Sequence, residues 1–201
     1  SASFYWVGSE ANIKGIYPTY YYTYNEAIPN NRRIEIIKNW LQLPPENRPH
    51  LITAYFPEVD HAGHRYGPDA PQTALAVKQV DSAIGKLYEQ VKNIGLPVNF
   101  ILVSDHGMTK IDTENPVGLP NEIDSAKFII PRGAELLMLY AKNKKDIKKT
   151  YKKLKSIQKD FTVYRPKNMP SILHFSKKDD WHHHIGDLLL VPKWPKTFSM
   201  G

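Results

Sequence analysis

The stretch VNFILVSDHGM, Val98 to Met108, decides how this chain is read. Val98 to Ser104 is almost unbroken in apolar character. Such a run marks a strand of a parallel sheet covered on both faces. It leads directly into Asp105 and His106. Open α/β sheets bind ligands beyond the carboxyl ends of their strands, so a carboxylate and an imidazole placed there are candidates for chemistry. The plainer alternative is a capped turn, with Ser104 or Asp105 accepting backbone N–H groups and Gly107 easing the bend.

Upstream, Val77, Val80, Ile84, Leu87 and Val91 recur at steps of three and four. With Pro71 at the start and Gly95 at the end, they predict a helix over 71–93. LITAYF, Leu51 to Phe56, reads as a second buried strand. NRRIEIIKNWLQL, Asn31 to Leu43, reads as a helix with Ile34, Ile37 and Leu41 on one face and Pro44-Pro45 as its stop. SASFYWVG reads as a first strand ending at Gly8. The order strand, helix, strand, helix, strand predicts an α/β fold with a mostly parallel sheet and helices on both faces. After Thr109 the signals shorten. AKFII, AELLMLYA, FTVYRP and DLLLVPK predict short strands around a lysine-rich helix at Lys142 to Lys155. The expected division is a metal-binding core over 1–110 and a smaller α+β lobe, or insertion with returning strands, over 111–201.

The chain has 201 residues, no cysteine and a formal net charge of +7. Without cysteine there are no disulfides, thiolate zinc sites or cysteine nucleophiles. No run approaches the roughly 20 apolar residues that span a bilayer, and Ser1-Ala2-Ser3 leads directly into strand-like sequence without a basic-then-apolar signal pattern, as expected of a fragment whose targeting signals were removed. Much of the positive excess lies in the 142–155 segment. It lacks the interleaved aromatics and arginines of single-strand binders, so an exposed helix face is favoured over a specific nucleic-acid site.

A second acid–histidine pair, Asp60 and His64, follows the Leu51–Phe56 strand. The Asp-x-x-x-His spacing closes on one ion if the segment makes a helical turn. Carboxylate with imidazole suits zinc or another first-row divalent metal. Either pair alone is a weak signal. Two pairs at consecutive strand ends favour a metal site over two caps.

The wording around these pairs is more specific than their spacing. PEVDHAGHRYGPDAPQTALAVKQVDSAIGKLYEQV, followed by NFILVSDHGM, resembles the nucleotide pyrophosphatase/phosphodiesterase family of the alkaline phosphatase superfamily. FYWVGSEANIKGIYPTYYYTYN resembles that family's Phe-Trp-x-Gly-Ser segment. The similarity is close from Phe4 to Met108 and loose over MPSILHFSKKDDWHHHIGDLLLV. The resemblance implies hydrolysis of phosphodiester or pyrophosphate bonds of nucleotides by two zinc ions and a threonine nucleophile. It also implies Asp60 and His64 as ligands of one zinc and Asp105 and His106 as ligands of the other. Tyr24 corresponds to the aromatic residue that stacks on the base, and Tyr55 and Trp6 to further walls of that pocket. His61 is expected to be exposed or to lie just behind the ligands.

The departures matter as much. The family's nucleophile lies upstream of the Phe-Trp segment, and no threonine here matches it; Thr109 follows the second metal pair. The family's His-Gly-x-Asp-Asn motif has no match in HHHIGD, His182 to Asp187, which reads as a polar loop or strand edge. Val59 stands where the family usually has proline. The chain is therefore expected to be a fragment with no catalytic residue of its own, weak or partial metal binding and no turnover. It is also expected to carry an exposed sheet edge able to pair with a second copy. By resemblance the parent is periplasmic or extracellular. Two alternatives stay open: a phospholipid head-group or phosphonate ester hydrolase of the same superfamily, and a non-catalytic nucleotide- or phosphate-binding fragment.

Overall fold

The computed structural model describes residues 1–199. The chain divides into two compact units, Ser1–Thr109 and Lys110–Gly201.

The first unit is built on a three-stranded parallel sheet in the order β2 (Tyr20–Tyr22), β1 (Ala2–Phe4), β3 (Ile52–Ala54). The central strand is fully buried because both neighbours pair with it. Helix α1 (Asn30–Leu41) lays Ile34, Ile37, Trp40 and Leu41 against Phe4, and helix α3 (Pro71–Ile94) adds Ala83, Leu87 and Val91 to the same core. Each large apolar side chain withdrawn from water contributes about 1.5–3 kcal/mol. Helix α3 starts on Pro71 and stops at Gly95, whose φ of 75° closes the helix in the left-handed conformation. Between β3 and α3 lies the short helix α2 (Glu58–Tyr66), ended by Gly67 at φ 92°. A chain of hydroxyls crosses the sheet: Thr53 Oγ1 donates to Ser3 Oγ at 3.0 Å, and Ser3 Oγ to Ser9 Oγ at 2.8 Å.

The structure corrects the expected elements at several points. The first strand stops at Phe4 rather than Gly8, because Tyr5 takes a φ of 33° and turns the chain. The second strand covers only Ile52–Ala54 and is half-buried, with Leu51 exposed. On α3, Val77 faces solvent and the buried stripe runs through Thr73, Ala76, Ala83, Leu87 and Val91. The largest correction concerns Val98–Ser104, which forms no strand. Ile101, Leu102 and Val103 are 83%, 69% and 70% exposed. An apolar run supplies side chains for a sheet but not the N–H and C=O partners of a ladder, and no strand among the described residues pairs with this one. Only its start is anchored, by Phe100 against Tyr88 with ring centroids 5.5 Å apart.

The second unit is the α+β part. Its antiparallel sheet has the order β5 (Phe128–Ile129), β6 (Leu137–Ala141), β8 (Leu188–Pro192), β7 (Phe161–Tyr164). Helix α4 (Lys145–Ile157) buries Ile147, Thr150 and Leu154 and leaves its lysines exposed. Leu137, Leu139, Val163, Leu188 and Leu190 complete the core. A parallel pair, β4 (Asp112–Gly118) with β9 (Lys196–Ser199), was not foreseen. DTENPVG is poor in strand-forming residues, so local propensity hides it. The His182–His184 run is exposed, and the Asp180 carboxylate accepts the N–H groups of His184 and Ile185 at 2.8 and 3.1 Å. That is a capped polar loop, as expected.

Candidate metal centre and aromatic pocket

Helix α2 carries the first acid–histidine pair. One helical turn separates Asp60 from His64, so both project from the same face, with His64 Nε2 3.4 Å from Asp60 Oδ1. The turn after residue 104 carries the second pair. The Asp105 carboxylate accepts the His106 N–H at 3.0 Å, and Ser104 Oγ donates to the His106 carbonyl at 2.6 Å. The expected capped turn is therefore present together with the candidate ligands, not in place of them. His106 Nδ1 lies 3.0 Å from the Gly107 carbonyl. A carbonyl only accepts, so Nδ1 carries the proton and Nε2 is left free as a donor to a metal. That Nε2 lies 3.7 Å from Asp60 Oδ1 and 3.6 Å from Asp105 Oδ2. The Gly107 hydrogen bond, followed by the Asp105 and Asp60 charges, raises the imidazole pKa.

His64 and His106 thus meet at one atom, Asp60 Oδ1. Asp60 Oδ1 is buried and has no hydrogen-bond partner, an arrangement that is costly unless something completes it. Zinc bonds of roughly 2.0–2.1 Å put neighbouring tetrahedral donors roughly 3.3 Å apart. The Asp60–His64 spacing matches this, and the His106 spacing is slightly wider. The donor chemistry fits a divalent metal ion, but only in part: among the described residues, no group of three or more His, Asp or Glu closes into a metal cage.

The 105–108 turn packs against helix α2 through the Met108 side chain, which lies over Gly63. A Cβ at Gly63 would run into the Met108 side chain. Gly63 therefore lets that side chain lie directly on α2. Sequence reasoning missed this contact, although a glycine inside a nine-residue helix between two candidate ligands was the available signal.

Of the three expected pocket residues, Tyr24 and Tyr55 come together, with ring centroids 6.5 Å apart. Trp6 does not join them. It sits in the turn after β1, and among the described residues it makes no ring contact with either. Its place is taken by Tyr5, which meets Tyr24 edge-on at 5.3 Å. Burial, then the negative charges of Asp60 and Asp105, raises the Tyr55 pKa. Burial and then a hydrogen bond to Glu26 raise that of Tyr24. Tyr24 donates to Glu26 Oε1 at 2.8 Å, and His61 Nδ1 lies 3.2 Å from Glu26 Oε2.

Beneath the pocket, Arg33 is buried. It donates to Glu58 Oε1 at 2.7 Å and to the Ile28 carbonyl at 2.8 Å, and its guanidinium lies 5.0 Å from the Tyr5 ring centroid. It ties α1 to the first turn of α2 and so helps set where Asp60 stands.

Comparison with known proteins identifies the family and the fold. A family model described as type I phosphodiesterase / nucleotide pyrophosphatase matches residues 1–200. The human ectonucleotide pyrophosphatase/phosphodiesterase family member 1 is 33% identical over 190 residues, which cover 89% of this chain and 20% of that protein. A venom phosphodiesterase from Macrovipera lebetinus is 36% identical over 135 residues, 66% of this chain and 16% of that protein. This chain therefore spans about a fifth of the length of the curated relatives it matches. Murine ectonucleotide pyrophosphatase / phosphodiesterase 5 superposes with a TM-score of 0.83 at 25% identity, over 100% of this chain and 52% of that one. An inactive form of the same murine protein, in complex with AMP, matches with a TM-score of 0.81 at 26% identity, over 98% of this chain and 51% of that one. On the match across 1–200 and the shared fold, the chain belongs to the type I phosphodiesterase / nucleotide pyrophosphatase family.

Proposed function

We propose that this chain is part of a zinc-dependent nucleotide pyrophosphatase/phosphodiesterase acting outside the cytoplasm. In this reading it contributes four metal ligands and the wall on which the nucleotide base stacks. The observation that carries the proposal is Asp60 Oδ1, buried, without a hydrogen bond and flanked by His64 and His106, next to the Tyr24–Tyr55 pair. The ectoenzyme and venom relatives support the location and the substrate class. Asp60 and His64 would hold one ion, and Asp105 and His106 the other. Bound zinc would polarise the phosphoryl oxygens and lower the pKa of an attacking or leaving oxygen. The chain's own residues bind and orient. Tyr24 presents a ring face to the base, and Tyr55 keeps its proton and leaves the pocket free of a further negative charge beside the phosphate.

No threonine in this chain matches the expected nucleophile, so in this reading the 201-residue chain would turn nothing over and each ion would find two protein ligands here instead of the three or four of a complete zinc site. Zinc titration by calorimetry should give weak binding and no hydrolysis of a nitrophenyl nucleotide ester. Tight binding of two ions with turnover would overturn that. In the longer protein, a nitrophenyl nucleotide ester should be cleaved in preference to the nitrophenyl choline ester. The reverse preference would favour the head-group hydrolase reading, and AMP binding independent of zinc would favour the non-catalytic one. The sheet edges of β2 and β3 also support pairing with a second copy through an open strand.

A further inference from the structure

We infer that Glu26 is a positioning residue for the base-stacking ring, clamping Tyr24 to the helix that carries the candidate metal ligands. The inference rests on the reading of Tyr24 as the base platform and goes beyond it, because neither Glu26 nor His61 carries a role in that reading. Each oxygen of the Glu26 carboxylate has its own partner on a different element. Oε1 accepts from the Tyr24 phenol at 2.8 Å, and Oε2 meets His61 Nδ1, one residue from Asp60, at 3.2 Å. One carboxylate therefore spans from the loop after β2 to α2.

The loop that presents Glu26 is itself ordered. Asn25 Oδ1 accepts the Ala27 N–H at 3.0 Å, and the Ile28 N–H donates to the Asn25 carbonyl at 3.2 Å. Arg33 then reaches the Ile28 carbonyl with one nitrogen and Glu58 with another. The loop and α2 are thus joined twice, by Arg33 underneath and by Glu26 at the rim. The rim link is the one that touches the ring. A tyrosine that is 44% exposed has several staggered side-chain wells open to it. Tyr5 holds one side of the ring by an edge contact at 5.3 Å, and Glu26 holds its hydroxyl end. Stacking depends on the face being presented before the base arrives, so fixing the ring lowers the ordering cost of binding.

The clamp acts on the base and not on the phosphate, and this separates it from a general structural role. The test compares AMP with ribose 5-phosphate, which lacks the base, by calorimetry on the 201-residue chain in the presence of zinc. Glu26→Ala should weaken AMP binding by roughly five- to tenfold, the scale of one solvent-accessible hydrogen bond. Ribose 5-phosphate should be unaffected. Glu26→Gln, which keeps an acceptor for the phenol, should recover part of the loss. His61→Ala should shift AMP binding in the same direction by less. Glu26 is half exposed, so the variants should melt like the parent. An AMP affinity within twofold of the parent in Glu26→Ala, alongside a loss in Tyr24→Ala, overturns the clamp and leaves the base platform standing. Equal losses for AMP and ribose 5-phosphate overturn it too. If Tyr24→Ala changes nothing, or the parent chain does not bind AMP, the base platform fails and the clamp with it.

Discussion

At the scale of single residues, Tyr5 shows how the pocket is built at a local cost. Its ring is wholly buried, its φ is 33°, and its hydroxyl has no hydrogen-bond partner. Burial is the main cause that pushes its pKa up to about 12, from an ordinary value of 10.0. A phenol held neutral in the folded state adds stability that is fully present below the unfolded pKa. That stability is lost as pH rises through the folded one. Tyr5→Phe removes a buried unpaired hydroxyl, so at pH 7 it should be neutral or stabilising by up to about 1 kcal/mol. The variant should also lose stability less steeply than the parent between pH 10 and 12. Urea midpoints at both ends of that range check the prediction. Asp60 is the other decisive residue. Because both His64 and His106 face its Oδ1, Asp60→Asn should depress zinc affinity more than Asp105→Asn, as titration calorimetry would show.

At the scale of elements, α2 is placed by two contacts that its own nine residues do not disclose. Arg33, with its side chain 4% exposed, fixes the first turn through Glu58. Removing one partner of a buried pair typically costs about 3–5 kcal/mol. Glu58 keeps some solvent access, so Arg33→Ala should cost about 3 kcal/mol in chemical denaturation. The Met108 side chain over Gly63 makes the second contact. Glycine to alanine inside a helix ordinarily gains about 1 kcal/mol. Here the added methyl meets only the flexible end of the Met108 side chain, so Gly63→Ala should keep most of that gain once Met108 turns to another rotamer, as thermal melting would show.

At the scale of the whole molecule, the exposed 101–103 run is the feature that most affects behaviour in solution. Unpaired apolar backbone is a template for strand addition. The chain should therefore associate at micromolar concentrations, and a lysine at Leu102 should suppress that association in sedimentation velocity. A wild-type monomer would count against the pairing. Much of the architecture was legible in sequence. The α1 stripe, the start and stop of α3 and the α+β character of the second unit follow from periodicity and stop signals, because those depend on near neighbours in the chain; the tyrosine strand β2 and the exact buried stripe of α3 did not. The two acid–histidine pairs were legible as pairs, since Asp60 and His64 are four residues apart and Asp105 and His106 are adjacent. What local sequence could not decide was whether Val98–Ser104 would find a ladder, which ring would stand beside Tyr24, and that Glu26 would reach His61. Each of these depends on a partner far along the chain. A hydrogen bond or ring contact of that kind exists only once the sheet, α1 and α2 have been packed against one another. The sequence by itself determined the chemistry on offer and the helices that carry it. Tertiary structure alone decided that the histidines of both pairs converge on a single carboxylate oxygen, because only packing brings the 105–108 turn onto α2.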